Sequence, residues 1–471
     1  MRDTIQPLSQ QSFRALSALL LIWATLLGCE KERLAPSALE ISATTQDFTN
    51  LQREEVNPLD KTLLSAVSES RGFYKDLFMD GGIRLTSRRT LPAAANLLLN
   101  MEYFASSATD NLNLQDTLLQ DALYCGSPED YNGVLLYPDG APRFKTIYVN
   151  GGSATAHGNS LTERGRENFR AYVANGGSYV GTCAGMFLAC KSTYSYGPSF
   201  RESYLHIWPG YARSTGLSDT YTGHFVEPGS PLLNYSNFGG DMYIDNIYHN
   251  GGGFAYEPWG FPAETQVLLR YDYPKLTPNG SSIHNQPSAW AYKANEESGR
   301  IVVIGSHPEG ITSGERLDLM SAMVQYAIDG VGGLHSKGRL VKGVTRSMDR
   351  RSEDNDPLYT KIGDRQYHHF SANIPSRAKN IEVTLEGTPG YLLNLFMKRG
   401  SFASAQNATY FNNSNATTKT IELESIEPGE WYISVFCATT VETKKVDWGT
   451  EYIGNLGVLN GVPYTIKIDW E

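Results

Sequence analysis

The chain has 471 residues, which at about 150 residues per domain allows two or three domains. Apolar residues make up 41% and charged residues 19%, which excludes a chain that is disordered throughout. Forty basic against fifty acidic side chains leave a net charge of −10, which argues against a general binder of nucleic acid or other polyanions. The 28 Tyr and 45 Gly suit a loop-rich α/β or β architecture better than a helical bundle.

The first element is an apolar stretch over 15–28, preceded by Arg2 and Arg14. It is shorter than the roughly 20 residues a spanning helix needs. It runs into Leu26-Leu27-Gly28-Cys29 and resembles the bacterial lipoprotein signal. That resemblance implies lipidation of Cys29 and removal of 1–28. The mature protein would then be anchored through its N-terminal lipid to a membrane of the bacterial cell envelope, on the periplasmic or surface side. An ordinary secretory signal is the alternative. Residues 29–69 read as a flexible polar tether. Beyond Cys29 the cysteines are Cys125, Cys183, Cys190 and Cys437, too few for a disulfide framework in a chain of this length, although one pair such as Cys125 with Cys190 stays open.

From residue 70 the pattern becomes regular. A short strand is expected over 73–79, ending at Asp80-Gly81-Gly82, and a helix over 93–104 after Pro92. Residues 144–149 form an apolar strand followed by Asn150-Gly151-Gly152-Ser153. Thr162 is placed to cap a helix that buries Phe169, Tyr172 and Val173 and stops at Asn175-Gly176-Gly177. A strand over 178–182 leads to Cys183 and a helix over 184–190. Residues 194–298 are rich in Tyr, Trp, Gly and Pro, with strand-like pieces at 266–271 and 288–293. An apolar strand over 300–305 precedes Ser306-His307-Pro308-Glu309. Thr312 with Glu315 suggests a capping box for a last helix whose inner face holds Leu317, Met320, Val324 and Ala327. Strands alternating with helices predict a mainly parallel sheet covered on both faces. Residues 331–358 read as a charged linker. Residues 359–471 read as an all-β sandwich with strands near 381–386, 392–398, 420–423, 431–436 and 464–470.

Three sequence features carry chemistry. Gly181-Thr182-Cys183-Ala184-Gly185 is the Cys form of the strand–turn–helix elbow that projects a nucleophile at a strand's carboxyl end. The following helix start favours thiolate. His307, just past an apolar strand, can act as base and then acid toward that sulfur, with Glu309 orienting its ring. Backbone N–H groups of the Gly151-Gly152 loop and of Ala184 can hold an oxyanion. His206, His224, His249 and His284 lie in the Tyr-rich insert, where pocket or packing roles are favoured over a metal cluster. Trp208, Tyr211, Tyr256 and Trp259 read as core or loop packing, with a sugar- or peptide-binding cleft as the alternative.

The order of Gly151-Gly152, the Cys183 elbow and His307-Pro308-Glu309 resembles the class I glutamine amidotransferase-like superfamily. Residues 149–152, Tyr248-His249-Asn250-Gly251-Gly252-Gly253 and 305–309 look closer still to the biotin-protein ligase N-terminal-like domain. Over 70–330 the resemblance implies a flavodoxin-like three-layer α/β/α sandwich with Cys183, His307 and Glu309 as a triad. Phe187, Tyr248, Asn250, Gly251 and Gly252 would then border the substrate pocket. Where glutamine amidotransferases often carry Gln, two residues past the elbow, this chain has Phe187, which turns the expectation away from glutamine. Leu393-Asn394-Leu395-Phe396, Arg399-Gly400 and 428–435 resemble the bacterial pre-peptidase C-terminal domain. The expected activity is that of an exported, lipid-anchored cysteine hydrolase acting on an amide or related acyl bond of a small-molecule, peptide or glycan substrate, without cofactor, metal or nucleic acid. The alternative is a binding lipoprotein that keeps the shell without the reaction.

Overall fold

The computed structural model describes residues 72–80, 103–105, 132–194, 198–256, 261–446 and 449–471. The expected signal segment, Cys29, the tether, Cys125, Trp259 and most of the helix expected over 93–104 lie outside these residues. Tyr103 and Phe104, the end of that expected helix, belong instead to a short strand.

Among the described residues the central sheet has nine strands, in the order β2-β1-β3-β4-β13-β12-β11-β8-β9. One half is parallel: β1 (Lys75–Asp80), β2 (Tyr103–Ala105), β3 (Phe144–Val149), β4 (Ser178–Thr182) and β13 (Ile301–Ile304) run together. The other half is antiparallel: β8 (Thr220–Val226), β9 (Tyr243–His249), β11 (Thr265–Asp272) and β12 (Pro287–Tyr292). The expectation of a mainly parallel sheet therefore holds for only half of it. The insert over 194–298 contributes paired hairpin strands rather than βαβ crossovers. A second sheet, β10-β7-β5-β6, is built from β5 (Cys190–Tyr194), β6 (Pro198–Phe200), β7 (Trp208–Ser214) and β10 (Gly253–Ala255).

Alternation along the parallel strands sorts their side chains to the two faces. Ile147, Val149 and Tyr179 join one core cluster, with Phe169 and Tyr172 of helix α2 (Thr162–Ala174) and Met186 and Leu188 of α3 (Ala184–Ala189). Tyr148, Val180, Val302 and Ile304 join the other, with Leu317, Met320, Val324 and Ala327 of α4 (Glu315–Ile328). A short helix, α1 (Ala154–Ser160), precedes α2. Two caps differ from expectation. Leu161 occupies the N-cap of α2, where Thr162 was expected to cap, and Gly314 that of α4, where Thr312 with Glu315 suggested a box; neither makes a side-chain cap bond.

The all-β part stacks a five-stranded sheet, β14-β16-β21-β18-β19, and a four-stranded one, β15-β24-β17-β20, with a separate β22-β23 ribbon. The strands are β14 (Ser336–Arg339), β15 (Arg346–Met348), β16 (Tyr367–Ile374), β17 (Ile381–Glu386), β18 (Leu393–Arg399), β19 (Tyr410–Asn412), β20 (Thr418–Leu423), β21 (Gly429–Cys437), β22 (Glu442–Val446), β23 (Gly449–Ile453) and β24 (Tyr464–Asp469). The stretch read as linker thus supplies one strand to each sheet: β14 pairs with β16 and β15 with β24. Both parts fall in one compact unit. They meet at polar contacts: Arg143 Nη2 lies 2.9 Å from Asp364 Oδ1, Tyr137 donates to Asp364 O at 2.7 Å, and Gln366 donates to Asp139 at 2.8 Å.

Candidate active site

The carboxyl ends of β3, β4 and β13 converge on the residues singled out from sequence. Thr182 pairs in register with Ile304, and the Cys183 N–H bonds Ile304 O at 2.9 Å. The turn holding Cys183 and the exit toward His307 are therefore one hydrogen bond apart. Cys183 adopts φ 48 and ψ −103, a conformation that costs a non-glycine residue about 1–3 kcal/mol. Its surroundings impose this. The elbow closes so tightly that a Cβ on Gly185 would lie 2.0 Å from Val149 O, and the Gly185 N–H bonds Asn150 O at 3.1 Å. Tyr179 adds a hydroxyl bond to Gly185 O at 2.8 Å. Strand, turn and helix start are thus locked together beneath the sulfur.

His307 is fixed from three sides. Its N–H bonds Tyr248 O at 2.8 Å, its ring lies 5.8 Å from the Tyr248 ring, and its Cε1 stands 2.2 Å from where a Cβ on Gly151 would project. Only glycine at 151 admits the imidazole there. Nδ1 meets Glu309 Oε1 at 2.8 Å, with the Glu309 side chain 3% exposed. With Nδ1 engaged by the carboxylate, proton exchange falls to Nε2.

Gly151 and Gly152 follow β3 as expected, and Ala184 opens α3 beside Cys183. The loop 248–253 also comes to the site. A Cβ on Gly252 would fall 1.7 Å from Gly305 O, so the glycine run lets this loop lie directly on the strand that leads to His307. The Cys183 thiol donates to Asn250 O at 3.5 Å, and the Phe187 ring packs over Gly253. Tyr248, Asn250 and Gly251 are half-buried and Gly252 is buried. Trp208, an alternative cleft residue, is wholly buried against Trp290 and donates to Thr265. Tyr211 and Tyr256 are half-buried.

Behind His307 lies a buried polar layer that sequence reading did not assemble. His249 contacts Thr215 at 2.7 Å and Ser306 at 2.9 Å, while His224 contacts Ser288 at 2.8 Å and Thr222 at 3.0 Å. Burial first, and then a neighbouring imidazole, lowers both rings to about 3, so they are neutral and serve as packed hydrogen-bonding groups. His206 bonds Arg201 O and His284 faces Asp272 at 3.3 Å. Among the described residues no group of three or more His, Cys, Asp or Glu could hold a metal ion. Tyr148 was also missed. Its hydroxyl contacts Thr182 at 3.1 Å, and burial, then the Glu309 carboxylate, pushes its pKa up and keeps it protonated. The sequence signal is slight: one of two hydroxyl side chains in a buried strand.

Residues 141–327 match the family described as biotin-protein ligase, N terminal, a span that runs from β3 to α4. No curated protein matches the chain. Among solved structures, a glutamine amidotransferase is similar at 15% identity with a TM-score of 0.31, covering 51% of this chain and 97% of that one. The pre-peptidase C-terminal domain of a collagenase from Bacillus anthracis is similar at 16% identity with a TM-score of 0.19, covering 29% and 100%.

Proposed function

We propose that the chain is an exported cysteine hydrolase that cleaves an amide or related acyl bond with Cys183, His307 and Glu309. The α/β part is read as a flavodoxin-like three-layer domain. The observation that supports the reading is the forced backbone of Cys183 at the end of β4, with a Glu309-oriented imidazole following the paired strand β13. His307 takes the thiol proton and the sulfur attacks the carbonyl carbon. N–H groups of the Gly151-Gly152 loop and Ala184 receive the oxyanion. The C–N bond then breaks, the proton passes to the leaving amine, and water hydrolyses the thioester. Lipidation at Cys29 would hold this body at a membrane of the bacterial cell envelope. Among the described residues no helix is long and apolar enough to cross one.

One observation favours a second reading, a binding lipoprotein without the reaction. Cys183 is only 2% exposed, and its thiol donates to Asn250 O. Profiling against small-molecule, peptide and γ-glutamyl amides separates the two. The hydrolase reading expects turnover that Cys183→Ala abolishes and His307→Ala lowers by about 10²- to 10⁴-fold. It also expects iodoacetamide to label Cys183 near neutral pH ahead of Cys190 and Cys437, whose thiol pKa values burial pushes up. Equal, slow labelling with no turnover would establish the binding reading.

A further inference from the structure

The structure holds a second buried carboxylate–imidazole pair, which the reaction above does not use. Asp80 Oδ2 and His157 Nε2 lie 2.6 Å apart, both side chains wholly buried. Asp80 ends β1 in register with Val149, the last residue of β3. Its carboxylate therefore stands where the chain leaves the sheet for Asn150-Gly151-Gly152. His157 lies on α1, the helix this loop enters. Its N–H bonds Ser153 O at 2.9 Å, and Ser153 Oγ caps the helix through the Ala156 N–H at 3.3 Å. The pair ties the far end of the glycine loop to the strand beside its near end. Gly152, at φ 141, has no side chain to stiffen the loop from within. Nearby, the buried Tyr179 hydroxyl donates to Gly185 O of the elbow at 2.8 Å. An apolar pair of similar volume would serve stability as well as this buried polar pair does. What the carboxylate–imidazole contact adds is a directional hydrogen-bonded tie at the height of the oxyanion donors.

We infer that Asp80 and His157 are positioning residues that hold the Gly151-Gly152 loop where an acyl oxyanion forms, without touching substrate. The inference rests on the hydrolase reading. Two probes of Cys183 test it on the full chain and on its Asp80→Asn and His157→Gln variants. With p-nitrophenyl acetate the sulfur adds to the carbonyl, an oxyanion forms, the C–O bond breaks, and p-nitrophenolate leaves with the electron pair. With iodoacetamide the sulfur displaces iodide and no oxyanion forms. The variants are expected to lose up to about 10²-fold in acetylation while alkylation stays within about twofold. Amide hydrogen exchange over 150–153 is expected to quicken. Acetylation equal to the parent's overturns the inference, as does a parallel fall in both rates, which would mark a general role in holding the elbow. If Asp80→Asn fails to fold, His157→Gln, which removes the imidazole at the other end of the contact, decides by the same comparison. Failure of the hydrolase reading is distinct: in the parent itself Cys183 is then alkylated no faster than Cys190 and Cys437 and is not acetylated, and the inference falls with it.

Discussion

At the residue scale, the buried layer behind His307 couples the site to pH through stability. In the unfolded chain His224 and His249 titrate near the ordinary 6.5; in the folded protein, chiefly through burial, they titrate near 3. Between those values the unfolded chain binds protons that the folded one refuses. Stability is therefore fully present above pH 6.5 and falls as pH drops, by about 1.4 kcal/mol per pH unit for each ring well inside the window. His368, buried in the sandwich, is shifted in the same direction. Asp139 acts lower: at about 2 against 3.8, it contributes stability that is lost only as pH falls through that range. Urea unfolding between pH 7 and 4.5 should show the decline, and His224→Gln should make it shallower by about one proton's worth. An unchanged slope would mean that His224 is not a buried neutral group.

At the element scale, the strand–turn–helix around Cys183 depends on one missing side chain. Gly185→Ala puts a methyl group into Val149 O, and both are backbone-held, so neither can step aside. The expected cost is about 1–3 kcal/mol with a displaced elbow, read as a lowered urea midpoint together with slowed iodoacetamide labelling of Cys183; normal values for both would show that the elbow tolerates a side chain there. This element was legible in the sequence because apolar runs bounded by glycines mark buried strands whatever surrounds them. Strand 144–149 and the strand before Cys183 match their expected limits, and the strand leading to His307 matches its expected place. The antiparallel half was legible only in part: the pieces expected at 266–271 and 288–293 are β11 and β12, but not their direction in the sheet. Strands β8 and β9 were not singled out, because His, Asp and Asn interrupt their apolar alternation, and the direction of all four strands is decided by hairpin pairing. The caps failed for a local reason: Leu161 and Gly314 take the cap positions, and neither has a side chain that can accept from the first N–H groups of the helix. The Asp80–His157 pair and the Tyr148 hydroxyl join residues far apart in the chain, and no periodicity announces such contacts.

At the scale of the whole molecule, the α/β part and the sandwich are joined by charges that water does not reach. Arg143 is 1% exposed and the Asp364 side chain wholly buried. Burial pushes the Asp364 carboxyl up while Arg143 opposes it, so the carboxylate form depends on its partner. The Arg143 guanidinium also lies over the rings of Tyr74 and Tyr137. A guanidinium cannot discharge itself when stranded, so removing the carboxylate leaves a buried cation, a loss of about 3–5 kcal/mol. Asp364→Asn should therefore lower the stability of both parts together, although residue 364 belongs to the sandwich by sequence. Urea unfolding followed at once by tryptophan fluorescence and by labelling of the buried Cys190 and Cys437 reads this directly. Coincident transitions shifted to lower urea are expected, since residues of both parts share one buried core cluster. A sandwich that unfolds alone, with Cys437 labelled while Cys190 stays protected, would show that the charged contact only joins two independently stable bodies.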